Sequence, residues 1–274
     1  MKDPLPFQPV IILGAARTGT NILRDVMTHF DGLETWPCDE ISAIWRYGNT
    51  AWPNDAMPAV LATKPVRYFI RQAFLRQWRR RGRPRFLVEK TCANTLRVDF
   101  VRAVLPEAKF IHLQRNGADV AASAMKRWSG EFELNPWRYY LAKLAYVPWA
   151  NLPQVATQFT KRRFQRGAHY KAWGPIPDWM PMEAPLEFIC ARQWASCALR
   201  CAAALEKMPQ RAVHHVTYED LTSTPMDVLQ SLFAFLDHQV APRETYETIR
   251  LIRRPGRTSV VQDCGLDDVL ETAK

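Results

Sequence analysis

Apolar residues in this chain gather into short runs that end at glycine or at a polar cluster, and amphipathic stretches follow them. Pro9-Val10-Ile11-Ile12-Leu13 is the first run, and behind it Ile22, Leu23, Val26, Met27 and Phe30 recur at the spacing of one helical face. Phe86-Leu87-Val88, Phe110-Ile111-His112-Leu113 and Val213 to Tyr218 repeat the pattern. Each reads as a buried strand, with helices between. The alternation predicts an α/β three-layer sandwich with a mostly parallel central sheet, whose ligands sit at the carboxyl ends of the strands. Leu186 to Leu205 reads as a core helix carrying Trp194, Ala198 and Leu205.

At 274 residues and 47% hydrophobic content the chain suits one core. Linkers, low-complexity tracts and internal repeats are missing, so residues 1–274 read as a single domain. Residues 129–185, rich in aromatic residues and proline, read as an insertion; they hold Trp137, Tyr139, Tyr140, Tyr146, Trp149, Trp173 and Trp179. No apolar run approaches the length of a membrane span, and no secretory leader follows Met1, so a soluble, unsecreted protein is expected. Six cysteines, at 38, 92, 190, 197, 201 and 264, lack C-x-x-C spacing and read as reduced thiols.

The turn behind the first strand, Gly14-Ala15-Ala16-Arg17-Thr18-Gly19-Thr20-Asn21, has the form of a phosphate cradle. A strand that ends in glycine and opens a helix aims backbone N–H groups and a helix N-terminus at one point, which suits an anion. Its glycine spacing matches the Walker pattern, yet Thr20-Asn21 stands where a nucleotide triphosphatase places Lys and Ser/Thr. Arg17 offers cationic charge from inside the loop instead.

A second strand-to-helix junction begins at Arg115. Ser123 follows eight residues later and Arg127 one helical turn after that, so Ser123 and Arg127 share a face. One hydroxyl and two guanidinium groups thus face a second anion, which arginine grips with a planar fork that stays charged. No His/Cys/Asp cluster has metal-ligand spacing, and His214-His215, adjacent on a strand, point to opposite faces.

Together these segments resemble the paired signature of sulfotransferases that use 3′-phosphoadenosine 5′-phosphosulfate (PAPS). The family's first loop has the form G-x-x-R-S-G-T-T, from which Thr18 and Asn21 depart, and its R-(x)7-S spacing is kept by Arg115 and Ser123. A third stretch, Thr217-Tyr218-Glu219-Asp220-Leu221, resembles the family's strand ending in Y-E-D-L. The resemblance implies that Arg17, Thr18, Gly19, Thr20 and Asn21 grip the 5′-phosphosulfate and Arg115, Ser123 and Arg127 the 3′-phosphate. Tyr218 would lie near the nucleotide. It further implies that Lys90, in a K-T motif after the strand Phe86 to Val88, stabilises the leaving oxygen. Cys92 stands where cytosolic sulfotransferases of phenols and steroids carry a histidine, so the proton acceptor has to be sought elsewhere. By similarity with the tyrosylprotein sulfotransferases, Glu40 takes that role, with Asp39 as its substitute; no metal is required. Eukaryotic relatives carry a Golgi membrane anchor, and its absence implies a bacterial, cytoplasmic enzyme.

Net charge is +10, from 37 basic and 27 acidic residues, with the densest run at Arg76 to Arg85 and others at Lys161 to Arg163 and Arg253 to Arg257. Part of it is expected to serve the donor, and Arg253 to Ser259 is a candidate closing loop over the 3′-phosphate. The rest solvates the exterior or attracts an anionic acceptor. A carbohydrate or polysaccharide hydroxyl suits the basic and aromatic surface; lipid-linked sugar, peptidyl tyrosine and small alcohols stay open. No nucleic-acid reader motif accompanies the charge. A P-loop small-molecule kinase and a non-catalytic binder of anionic polymer are the competing readings.

Overall fold

Alternation along β1 (Gln8–Leu13) creates the layers: Ile11 and Leu13 enter one core while Val10 and Ile12 enter the other. The computed structural model describes residues 4–128, 174–179 and 184–240, with 245, 248, 249 and 252. β2 (Leu33–Thr35), β3 (Phe86–Lys90), β4 (Lys109–Gln114) and β5 (Val213–Thr217) complete a parallel five-stranded sheet in the order β2-β3-β1-β4-β5. β1 lies at its centre, paired Ile12 to Lys90 on one side and Ile12 to Ile111 on the other.

Helices cover both faces. The chain order runs through α1 (Thr20–Met27), α2 (Ser42–Trp45), α3 (Lys64–Arg80), α4 (Val98–Val104) and α5 (Gly117–Trp128). It continues with α6 (Leu186–Leu205), α7 (Tyr218–Ser223) and α8 (Pro225–Leu236). Ile70 and Phe74 of α3, Phe100 and Val104 of α4, and Cys201 and Leu205 of α6 bury the Ile11 face. Leu23 and Val26 of α1 and Leu229 and Phe233 of α8 bury the other. This is the expected three-layer α/β sandwich, and α6 spans the residues its pattern foretold.

Some details differ from expectation. The last strand stops at Thr217, one residue before Tyr218, because the Thr217 hydroxyl accepts the Asp220 N–H at 3.0 Å and caps α7. β2 was not foreseen, since three residues are too few to display a period. The run Arg76 to Arg85 closes α3 and precedes the first residue of β3, whereas Lys90 ends that strand. That run therefore sits at the amino ends of the strands, away from the phosphate loop.

His214 stacks on Phe235 while His215 meets His112, Nδ1 to Nδ1 at 3.3 Å, so the pair diverges as alternation requires. Cys38, Cys92, Cys190, Cys197 and Cys201 are free and buried. Cys264, the Arg253 to Ser259 loop and most of the 129–185 insertion lie outside the described residues. Among the described residues no helix is long and apolar enough to cross a membrane.

Phe233 meets Phe30 edge-on at 4.6 Å beneath α8. Phe233→Ala is expected to lower unfolding free energy by about 3–5 kcal/mol in urea titration. A loss below about 1 kcal/mol would show that α8 is not integral to this core.

Candidate active site

Connections from β1 lead towards β2 at one edge of the sheet, and those from β4 lead towards β5 at the other, so their loops part above the β1–β4 pair. Open parallel sheets bind ligands at such a switch point. The first loop holds Arg17 at φ 75° and Gly19 at φ 96°. Gly19 is doubly constrained, because a Cβ there would also lie 2.5 Å from the Tyr218 ring. Thr18 turns inward: its hydroxyl and its N–H both go to the Ala15 carbonyl, at 2.8 and 3.2 Å, so it shapes the turn. Thr20 opens α1 buried against Cys92, Oγ1 to Sγ at 3.7 Å, and Asn21 is exposed beside it. The first N–H groups of α1 have no intrahelical acceptor and face this turn.

All three expected motifs meet here. Arg17 Nε donates to Ser123 Oγ at 3.1 Å, and Arg115 Nη1 donates to the Arg17 carbonyl at 3.1 Å. The Arg115 guanidinium also lies over the Tyr218 ring, 4.2 Å from its centroid. Tyr218, at the start of α7, thus links Gly19 of the first motif to Arg115 of the second. Asn116 fixes the second junction: its N–H goes to Glu219 Oε1 at 3.0 Å, and its Oδ1 accepts the Ala118 N–H at 2.9 Å to cap α5. What the spacing suggested as two anion sites is one contiguous surface.

Its cations repel one another. Partial burial, then repulsion from Arg127 and Arg115, lowers the Arg17 pKa. Arg115 Nε is buried with no hydrogen-bond partner. An orphaned donor inside a cluster of like charge fits a multiply charged phosphate ester.

At the tip of β3, Lys90 Nζ donates to Asp39 Oδ1 at 2.8 Å and to Glu40 Oε1 at 3.5 Å. Burial alone would lower the lysine pKa, but the Cys92 sulfur and the Glu40 and Asp39 carboxylates outweigh it and raise the value, so Lys90 stays cationic. Asp39 also accepts Arg24 Nη1 at 3.0 Å, and against the effect of burial these two cations hold its carboxyl below the usual range. Glu40 is tied more loosely, by Lys90 and by the Cys92 N–H at 3.3 Å. The buried Cys92 thiol is pushed up by desolvation and stays protonated.

Several participants were not anticipated. Arg24 compensates Asp39, and its role depends on a fold-back invisible to local pattern. Glu89 is wholly buried, and desolvation pushes it up to about 7. The signal for it was a carboxylate interrupting an apolar strand one residue before Lys90. Arg97 is also buried, 3.5 Å from Asp55. Asp55 and Ile176 exchange backbone bonds at 2.7 Å and through Asp55 Oδ2 at 2.9 Å, while Gly174 packs near Ala16. The far end of the insertion is thereby pinned over the phosphate loop.

Fold and loop geometry define a parallel α/β protein with a phosphate-loop-like turn behind β1. The sequence model of the Sulfotransferase family matches residues 9–171, and the chain belongs to that family. The Tyr218 motif lies beyond the matched stretch and joins the site only through the fold. Among solved structures, a sulfotransferase domain from the curacin biosynthetic pathway is similar at a TM-score of 0.54 and 17% identity, covering 90% of this chain and 78% of that one. Sulfotransferase STF9 from Mycobacterium avium gives 0.55 at 14% identity, covering 97% and 75%. A sulfotransferase from Alicyclobacillus acidocaldarius gives 0.50 at 16%, covering 98% and 91%. At these identities the likeness is one of fold. A search of the curated proteins found no match.

Glu89 binds its proton more tightly folded than unfolded, so its contribution to stability is present below its ordinary 4.5 and is lost as pH rises through about 7. The stability of wild type relative to Glu89→Gln is expected to fall across that interval and level off above it, followed by urea titration at each pH. A difference independent of pH would contradict the assignment.

Proposed function

We propose that this chain transfers the sulfuryl group of PAPS to an acceptor hydroxyl, that of a carbohydrate or polysaccharide. The observation that carries this reading is the pair of bonds from Arg17 to Ser123 and from Arg115 to Arg17, which joins both anion motifs into one bipartite surface. The donor supplies an activated sulfuryl group, whose bond to the phosphate oxygen breaks as the acceptor oxygen attacks.

This chain's residues divide the remaining work. Arg17, with Gly19, Thr20 and Asn21 on the first turn of α1, steadies the 5′ side, and Arg115, Ser123 and Arg127 hold the 3′-phosphate. Thr18 contributes by shaping the turn, and Tyr218 supports Arg115. Lys90 carries a fixed positive charge at the strand tip, suited to the oxygen that gains charge. Glu40 accepts the acceptor's proton. Asp39 is the poorer base, because two cations stabilise its ionised form. The arginines and Lys90 supply the charge that a metal ion brings to phosphoryl transfer.

The carbohydrate reading is supported by Trp179, which is 54% exposed with Arg192 over its ring at 5.0 Å. A flat aromatic face beside a cation suits an acidic sugar.

Thermal shift separates the readings. 3′,5′-ADP is expected to raise the melting temperature, whereas a response only to ATP with magnesium would favour a kinase, and a response only to heparin a polymer binder. Labelled sulfuryl transfer from PAPS into a panel of polysaccharides should persist in chelator. Glu40→Ala is expected to lower turnover by about 10²–10⁴-fold while leaving 3′,5′-ADP affinity intact. Arg17→Ala should weaken that affinity by about 1–3 kcal/mol. Normal turnover in Glu40→Ala would remove it as the base.

A further inference from the structure

Glu89 is the fourth residue of β3 and its side chain has no solvent exposure. A wholly buried carboxylate at a strand tip calls for an account of each oxygen. Oε1 accepts the Thr91 hydroxyl at 2.5 Å, and Oε2 accepts Asn94 Nδ2 at 3.0 Å. Asn94 is oriented from its other end, where Oδ1 accepts Arg97 Nε at 2.8 Å.

Thr91 has a single hydroxyl proton, and the ionised Glu89 carboxylate accepts its hydrogen bond. The lone pairs of Thr91 Oγ1 are then free to accept the Ile41 N–H at 3.2 Å. Ile41 follows Glu40, and Cys92 follows Thr91. The second bond between these loops runs from the Cys92 N–H to Glu40 Oε1 at 3.3 Å. Residues 40–41 are thus tied to residues 91–92 twice, and one tie depends on which way the Thr91 hydroxyl points.

We propose that Glu89 is a positioning residue: by accepting the Thr91 hydrogen bond it directs Thr91 Oγ1 at the Ile41 N–H and so fixes the Glu40 carboxylate beside Lys90. This rests on the role given to Glu40 under the proposed function. An amide cannot take Glu89's place. With its oxygen towards Asn94, its NH₂ faces Thr91 Oγ1, competes with Ile41 for the lone pairs and leaves the Thr91 proton unaccepted. The opposite orientation sets two NH₂ groups against each other.

The test compares Glu89→Gln, Thr91→Val and Thr91→Ser in the full chain, so that a folding failure of the first leaves the pair at Thr91 to decide. One readout is hydrogen exchange at the Ile41 amide. Another is release of labelled sulfate from PAPS with water as acceptor, in which water attacks sulfur and 3′,5′-ADP leaves. The third is the affinity for 3′,5′-ADP. Glu89→Gln and Thr91→Val are expected to exchange the Ile41 amide at least about tenfold faster and to lower kcat at least about tenfold, with 3′,5′-ADP affinity within about twofold of wild type. Thr91→Ser, which keeps the hydroxyl, should behave as wild type. Wild-type exchange and turnover in Thr91→Val would overturn the proposal, as would an equal loss of nucleotide affinity in all three variants. If the wild type binds 3′,5′-ADP but releases no sulfate, the reading of Glu40 as base falls with it, and Ile41 exchange still decides whether Glu89 holds the loop.

Discussion

Three guanidinium groups, Arg17, Arg115 and Arg127, stand close enough above the β1–β4 crevice to depress the Arg17 pKa by repulsion as well as burial. Like charges held this close need a firm platform, and their summed field attracts anions. The platform here is β1, buried between two parallel neighbours and covered by helices on both faces. Arg17 comes from its tip, Arg115 from the tip of β4 and Ser123 from α5, so the cluster's geometry follows from sheet order and not from any single loop. Tyr218 adds the third support, from the tip of β5.

A different balance holds at β3. Lys90 is buried and positive, which requires negative partners, and Asp39 and Glu40 provide them from the loop before α2. The two carboxylates are not equivalent, because Arg24 adds a second cation to Asp39 alone. Asp39 is thereby held by two cations, and Glu40 pairs with Lys90 alone at the longer distance of 3.5 Å. Cys92 contributes its backbone N–H to Glu40 while its buried thiol stays protonated.

Much of this was legible because the relevant relations are local. Gly14 to Asn21 is a strand, a turn and a helix start within one contiguous stretch, and the Arg115–Ser123–Arg127 spacing is helical periodicity. The four strands and α6 were visible as apolar runs. What escaped depends on distant chain segments. Thr18 differs in that its partner is local: its hydroxyl goes to the Ala15 carbonyl three residues back and closes the turn. Arg24 meets Asp39 only because the chain folds back after α1. Glu89 sits in an ordinary-looking strand, and its burial depends on packing from α2 and the turn after β3. The dense basic run at Arg76 to Arg85 stands out in composition, yet the strand direction puts it at the opposite end of the sheet from Lys90.

A crystal structure with 3′,5′-ADP bound tests the central claim most directly. A single nucleotide should be found with its 5′-phosphate at the Gly14–Asn21 turn near Arg17 and its 3′-phosphate within hydrogen-bonding distance of Arg115 and Ser123. A nucleotide held elsewhere, or one that reaches Arg17 but leaves the Arg115 guanidinium without a phosphate partner, would contradict the account.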